Sequence, residues 1–255
     1  MNHEARVASN LRRLATSDDL RTKSIAWMRE SAAAGYSYNF RWLGRPIIQY
    51  PQDIVAMQEL ICLVRPDLII ETGIAHGGSL VFSASMLALL DMAEAAESGG
   101  TFDPKASHRT VLGIDIDIRP HNRAAIEAHP MAPRIRMIEG SSIAPEIVEQ
   151  VARVASGNRR VLVCLDSNHT HEHVLAELNA YAPLTSAGSY CVVFDTIIED
   201  LPAGMFPDRP WGPGNNPATA VREYLKGHPE FEVDRDIENK LMITVAPGGY
   251  LRRVR

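Results

Sequence analysis

The chain has 255 residues, 45% of them hydrophobic and 22% charged, with a formal net charge of −5. That suffices for one large α/β domain with a full core and is short for two. The acidic balance argues against a nucleic-acid binder that neutralises phosphates, and no apolar run approaches the ~20 residues of a membrane span.

Residues 1–35 alternate polar and apolar at helical spacing, with no secretory block at the start. The stretch "RWLGRPIIQYPQDIVAMQELICLVRPD" then carries three prolines and an amphipathic helix. Residues 1–65 are thus expected to form a helical extension or cap, with a single larger domain over 66–255. Tyr36, Tyr38, Phe40 and Trp42 are expected at the mouth of a site or in a subunit interface. From Pro66 onward, short β-rich runs alternate with helical stretches. The strand candidates are 67–72, 110–117, 134–140, 160–166, 189–195, 231–237 and 240–246. Helices are expected at 79–97, 119–128, 144–156 and 171–182, and a surface insertion at 97–108.

The first five runs are almost continuously apolar, as parallel strands buried on both faces are. Strand–helix alternation gives a doubly wound, Rossmann-like sheet. Only "EN" separates the last two candidates, so they are expected to close the seven strands as an antiparallel terminal hairpin. Cys62, Cys164 and Cys191 lie in apolar runs and read as buried thiols of a reducing cytoplasm.

Chemistry collects at the strand ends. "LIIETGIAHGGSL" (68–80) is strand, glycine turn and helix. Gly73, Gly77 and Gly78 let backbone approach a ligand, and Ser79 can cap the helix. The spacing does not match the G-x-G-x-x-G dinucleotide fingerprint. Glu71 suits an amine-bearing ligand, and an acid at the second strand end, Asp115, suits ribose hydroxyls. Asp166 and Asp195 end the fourth and fifth strands. Two adjacent carboxylates repel unless a cation lies between them, and oxygen donors favour Mg²⁺. "LDSNHTH" (165–171) is then either a capped strand-to-helix turn or the mouth of a site. "DRPWGPGNNPATAVREYL" (208–225) reads either as a lid or substrate loop centred on Trp211, or as a rigid connection with Trp211 in the core.

The motifs "DLIIETGIAHGGSL", "GIDIDIRPHNR", "LDSNHTHEHVL" and "WGPGNNPATAV" resemble the cephalosporin hydroxylase family over roughly residues 40–250. That family is related to metal-dependent sugar and macrolide O-methyltransferases that use S-adenosylmethionine (SAM). The resemblance implies the methyltransferase variant of the sheet. It implies Glu71, Gly73, Gly77, Ser79, Asp115, Ser141 and Asp166 around SAM, with Ser141 by the adenine. It also implies Mg²⁺ or Mn²⁺ at Asp166 and Asp195, and His169 of D-x-x-H as general base. The relatives often carry an acid just before the second aspartate. Phe194 stands there, so Thr196, Glu199, Asp200 or water must complete the ligand set. His171 and His173 are expected to be capping or surface residues.

The resulting expectation is a metal- and SAM-dependent O-methyltransferase acting on a hydroxyl of a sugar or secondary metabolite. A homo-oligomer with neither nucleic-acid nor membrane partners is expected. Two other functions fit less well. A dinucleotide oxidoreductase lacks its fingerprint, and a non-catalytic SAM-binding subunit of an oxygenase complex leaves D-x-x-H unused.

Overall fold

The computed structural model describes residues 2–255. Helices α1 (His3–Ala15) and α2 (Asp18–Ala33) lead into a small antiparallel hairpin of β1 (Phe40–Trp42) and β2 (Arg45–Ile47). Helix α3 (Pro51–Val64) follows, started by a proline at a position that needs no donor. Then come β3 (Leu68–Thr72), α4 (Gly78–Ser98), β4 (Thr110–Asp115), α5 (Pro120–Glu127) and β5 (Ile135–Glu139). Next are α6 (Pro145–Ala155), β6 (Val161–Leu165), α7 (His171–Tyr181) and β7 (Tyr190–Val193). The chain ends with α8 (Pro217–Gly227), β8 (Phe231–Val233), α9 (Arg235–Leu241) and β9 (Tyr250–Arg253).

The main sheet has seven strands in the order β5-β4-β3-β6-β7-β9-β8. The first five run parallel, and β9 is antiparallel to both neighbours. The chain winds outward from β3 through β4 to β5, then returns to place β6 on the other side of β3. This reversal is the switch point where open α/β sheets hold ligands. Every residue of β3, β6 and β7 is buried, which accounts for their continuous apolar sequence.

The antiparallel terminal pair is present, but its strands are shifted. β8 stops at Val233, and "KLMITVA" (240–246) is not a strand. Asp234 caps α9 by accepting from the Asp236 amide. The fully buried carboxylate of Asp53 accepts hydrogen bonds from the Val245 amide (3.0 Å) and the Thr244 hydroxyl. The bond from the Val245 amide occupies backbone that a β-ladder would need. The partner of β8 is "YLRR" instead.

The N-terminal segment shares the domain's core. Met28, Ile47, Tyr50 and Ile61 belong to the same buried cluster as Ile69, Leu80 and Val192. Gly78 makes the contact possible, since a Cβ there would lie 2.1 Å from the Pro46 carbonyl oxygen. Helix α4 has the length and composition of a membrane span, but its Leu80, Phe82, Ala84, Met86, Leu87 and Leu90 pack in this core. Cys164 and Cys191 are buried, whereas Cys62 is exposed on α3, contrary to the sequence expectation.

Candidate active site

A cleft of about 680 Å³ opens at the carboxyl ends of β3, β4, β6 and β7. Gly73 forms its floor at φ +91°, and a Cβ there would lie 2.0 Å from the Asp166 carbonyl oxygen. Only glycine lets the end of β3 pass the end of β6 this closely.

Asp115, at the end of β4, faces the cleft. Its Oδ2 accepts from the amides of Ile74 (2.8 Å) and Ala75 (3.2 Å), which holds the glycine turn in shape. Ser141 and Ser142 line the cleft beyond β5. Glu71 lies one layer behind, in a small adjoining cavity walled by Gln49, Ser79 and Asp166, which also line the cleft. Its carboxylate accepts from the Ser79 hydroxyl. Burial pushes the Glu71 carboxyl up to about 8 against that bond, so it is largely neutral at pH 7. Gly77 does not line the cleft. At φ +79° it caps the start of α4, with Ile126 where a Cβ would go.

Asp166, His169 and Asp195 converge on the far side. His169 Nε2 lies 3.5 Å from Asp166 Oδ1 and 3.2 Å from Asp195 Oδ2. One ligating atom from each lies within 4.8 Å of the others, and this is the one such metal-capable group among the described residues. Asp195 has φ +57°, a left-handed conformation that aspartate tolerates better than most residues. That turn leads the chain out of β7. In the metal-free cluster, burial pushes Asp166 up to about 6 and the Asp195 charge adds to this, while His169 opposes it. Burial lowers the His169 imidazole, but Asp195 and Asp166 outweigh it and raise it to about 9. The acid pair thus favours positive charge between its two carboxylates. Two carboxylates and an imidazole at this spacing fit a divalent ion.

The other two metal candidates are not in this group. Thr196 is buried and donates its hydroxyl to the Pro247 carbonyl (2.8 Å). Both oxygens of Glu199 are engaged. Oε2 accepts from the Gly214 amide (2.8 Å) and the Asn216 amide group (2.6 Å), and Oε1 from Arg222 (2.8 Å). Glu199 therefore anchors the 208–216 loop. Trp211 of that loop lines the cleft, 5.6 Å from the His169 ring and 5.3 Å from Phe206. Trp211 is thus a cleft residue, not a core tryptophan.

The structure adds residues that sequence reasoning passed over. His173 lines the cleft and pairs its Nε2 with Ser142 Oγ (3.0 Å). It also faces Glu177 at 3.5 Å, and their i,i+4 spacing on α7 was a visible signal. His171 ties α7 to α8 through Thr219 (2.8 Å). Gln49 donates to Asp166 Oδ2 at 3.3 Å. Of the four N-terminal aromatics, Tyr38 reaches the cleft. Tyr36 and Phe40 pack together, and Trp42 packs on Phe82.

A family model described as rhamnosyl O-methyltransferase/CmcI matches residues 34–254. Rhamnosyl O-methyltransferase of Mycobacterium tuberculosis (strain H37Rv) is 32% identical over 204 residues, covering 79% of this chain and 73% of the relative. The Mycobacterium leprae protein of the same name is 31% identical over 214 residues, covering 83% and 82%. A solved structure of CmcI with Mg and SAM superposes with a TM-score of 0.54 at 19% identity, covering 86% of this chain and 78% of that one. That likeness concerns the fold.

Proposed function

The chain belongs to the rhamnosyl O-methyltransferase/CmcI family, and from that premise we propose that it is a SAM-dependent O-methyltransferase acting on a sugar hydroxyl. The observation that carries this reading is the single cleft shared by Gly73, Asp115 and Ser141 on one side and Asp166, His169 and Asp195 on the other.

In the reaction, the acceptor oxygen forms a bond to the methyl carbon as the sulfur–methyl bond breaks. The sulfonium becomes a neutral thioether, and the hydroxyl proton passes to a water molecule at the site. A sugar hydroxyl keeps that proton at pH 7, and a bound divalent ion lowers its pKa. Asp166 and Asp195 would hold the ion. Asp115, fixed by two backbone amides, would accept from ribose hydroxyls, and the glycine turn at Gly73 would let the donor approach the sheet. Trp211 and Phe206 would cover the acceptor and exclude bulk water.

Calorimetry with SAM and S-adenosylhomocysteine tests the donor side. Both should bind, and NADH should not. Asp115→Ala should weaken binding by about 1–3 kcal/mol, because the ribose hydroxyls and two amides lose their acceptor. Tight NADH binding without SAM binding would contradict the proposal.

A further inference from the structure

Phe194 is 5% exposed and belongs to the hydrophobic core, so the position beside Asp195 offers no metal donor. Neither Thr196 nor Glu199 replaces it, since both are bonded elsewhere. A donor does arrive, from the other strand end. His169 sits three residues past Asp166, and its Nε2 lies 3.2 and 3.5 Å from one oxygen of each aspartate. Neighbouring ligands on an octahedral ion with bonds of about 2.1 Å are about 3.0 Å apart. The two edges that meet at Nε2 approach that spacing, and the ligating atoms of all three residues lie within 4.8 Å of one another. Nε2 is directed at the acid pair.

A second observation comes from a different element. Gln49, after β2, is 8% exposed and donates its amide nitrogen to Asp166 Oδ2. Its Oε1 is buried without any hydrogen-bond donor. A buried amide oxygen left unpaired costs stability unless something at the site satisfies it. Water held by an ion at Asp166 is a donor of the right kind.

We infer that His169 is the third protein ligand of the divalent ion, standing in for the side chain that Phe194 lacks, and that the site consequently prefers Mn²⁺ or Co²⁺ to Mg²⁺. The chemistry is that of ligand hardness. Mg²⁺ takes oxygen almost exclusively, whereas imidazole nitrogen suits the first-row transition ions. With Nε2 committed to the ion, the imidazole is not the base, and the hydroxyl acidified by the ion gives its proton to a water molecule at the site. The inference rests on the methyltransferase reading above and narrows its metal.

The test uses the full chain and three ions, Mn²⁺, Co²⁺ and Mg²⁺, titrated separately by calorimetry. His169→Ala should weaken Mn²⁺ binding at least about tenfold, since even an outer partner of a ligand is worth 10–100-fold. His169→Glu recreates an all-oxygen site, so the Co²⁺-to-Mg²⁺ affinity ratio should fall at least about tenfold. Pulsed electron paramagnetic resonance of the Mn²⁺ complex, with ¹⁵N-labelled histidine, should show nitrogen coupling in the wild type and none in His169→Glu. S-adenosylhomocysteine binding, measured on the same samples, reports that each variant is folded. Mn²⁺ bound without nitrogen coupling, or an unchanged ion ratio in His169→Glu, overturns the inference and leaves the methyltransferase reading intact. Failure of all three ions to bind, with S-adenosylhomocysteine still bound, overturns it too and leaves an imidazolium-bridged acid pair. Absence of S-adenosylhomocysteine binding in the wild type would instead contradict the function itself.

Discussion

Glu199→Gln separates an anchor from a ligand. The native carboxylate accepts three hydrogen bonds, from Gly214, Asn216 and Arg222. Burial raises its pKa, but those three donors outweigh burial and hold it below the usual carboxylate range. A glutamine keeps one acceptor and presents an NH₂ group where the other oxygen was. One donor from the loop or from Arg222 then faces another donor. A hydrogen bond to a charged group contributes about 1.5–3 kcal/mol. Arg222 is 63% exposed, so its ion pair adds at most about 1 kcal/mol, and loss of the loop bonds dominates. Opening of the loop should therefore become about 10- to 100-fold more frequent. Hydrogen exchange at the Gly214 amide reads this directly, because that amide is bonded to Glu199 itself. The acceptor KM should rise by a similar factor, while affinities for SAM and the metal stay unchanged. The same anchor should hold at neutral pH and weaken as pH falls through the depressed Glu199 pKa, because protonation removes the charge. Lost metal affinity with unaltered exchange at Gly214 would refute the reasoning and make Glu199 a ligand after all.

Glu71→Gln should flatten the alkaline fall in stability. The Glu71 pKa rises from 4.5 to about 8 on folding, so its contribution is complete below about 4.5 and lost as pH rises through about 8. The upper bound is about 4–5 kcal/mol, and thermal melts from pH 5 to 9 check it: a wild-type slope matching the variant's would contradict it. Gly73→Ala must accommodate a Cβ 2.0 Å from a carbonyl oxygen at φ +91°. It should lower the melting temperature and abolish S-adenosylhomocysteine binding, and calorimetry showing wild-type affinity would remove Gly73 from the site. Trp211→Ala should raise the acceptor KM without changing the S-adenosylhomocysteine Kd. An altered donor affinity instead would place Trp211 on the donor side.

The parallel part of the sheet was legible because its strands are buried on both faces and therefore apolar throughout. The acids at their ends were legible as well. Asp115, Asp166 and Asp195 end or closely follow strands, so the sheet alone brings them together. The C-terminal strands were not legible, because "KLMITVA" has the composition of a strand while its backbone is bonded to Asp53, nearly two hundred residues earlier. Local sequence carries no trace of such a partner. Glu199 and Thr196 failed as candidates for a related reason. Their spacing from Asp195 suits a ligand, but their hydrogen bonds are set by the 208–216 loop and by Pro247. His173 was underestimated because a histidine in a helix's first turn looks like a cap until Ser142 is seen across from it.

The central claim is transfer of a methyl group from SAM to a sugar hydroxyl at the Asp166–His169–Asp195 end of the cleft. Its most direct test is mass spectrometry of a rhamnosyl glycoside incubated with the protein, a divalent ion and SAM carrying a deuterated methyl group. One deuterated methyl ether is expected on the sugar, absent in EDTA and absent with Asp195→Asn, which still binds S-adenosylhomocysteine. A labelled product formed equally in EDTA or by Asp195→Asn would contradict the metal site. SAM bound tightly with no labelled product from any sugar acceptor would contradict the methyltransferase.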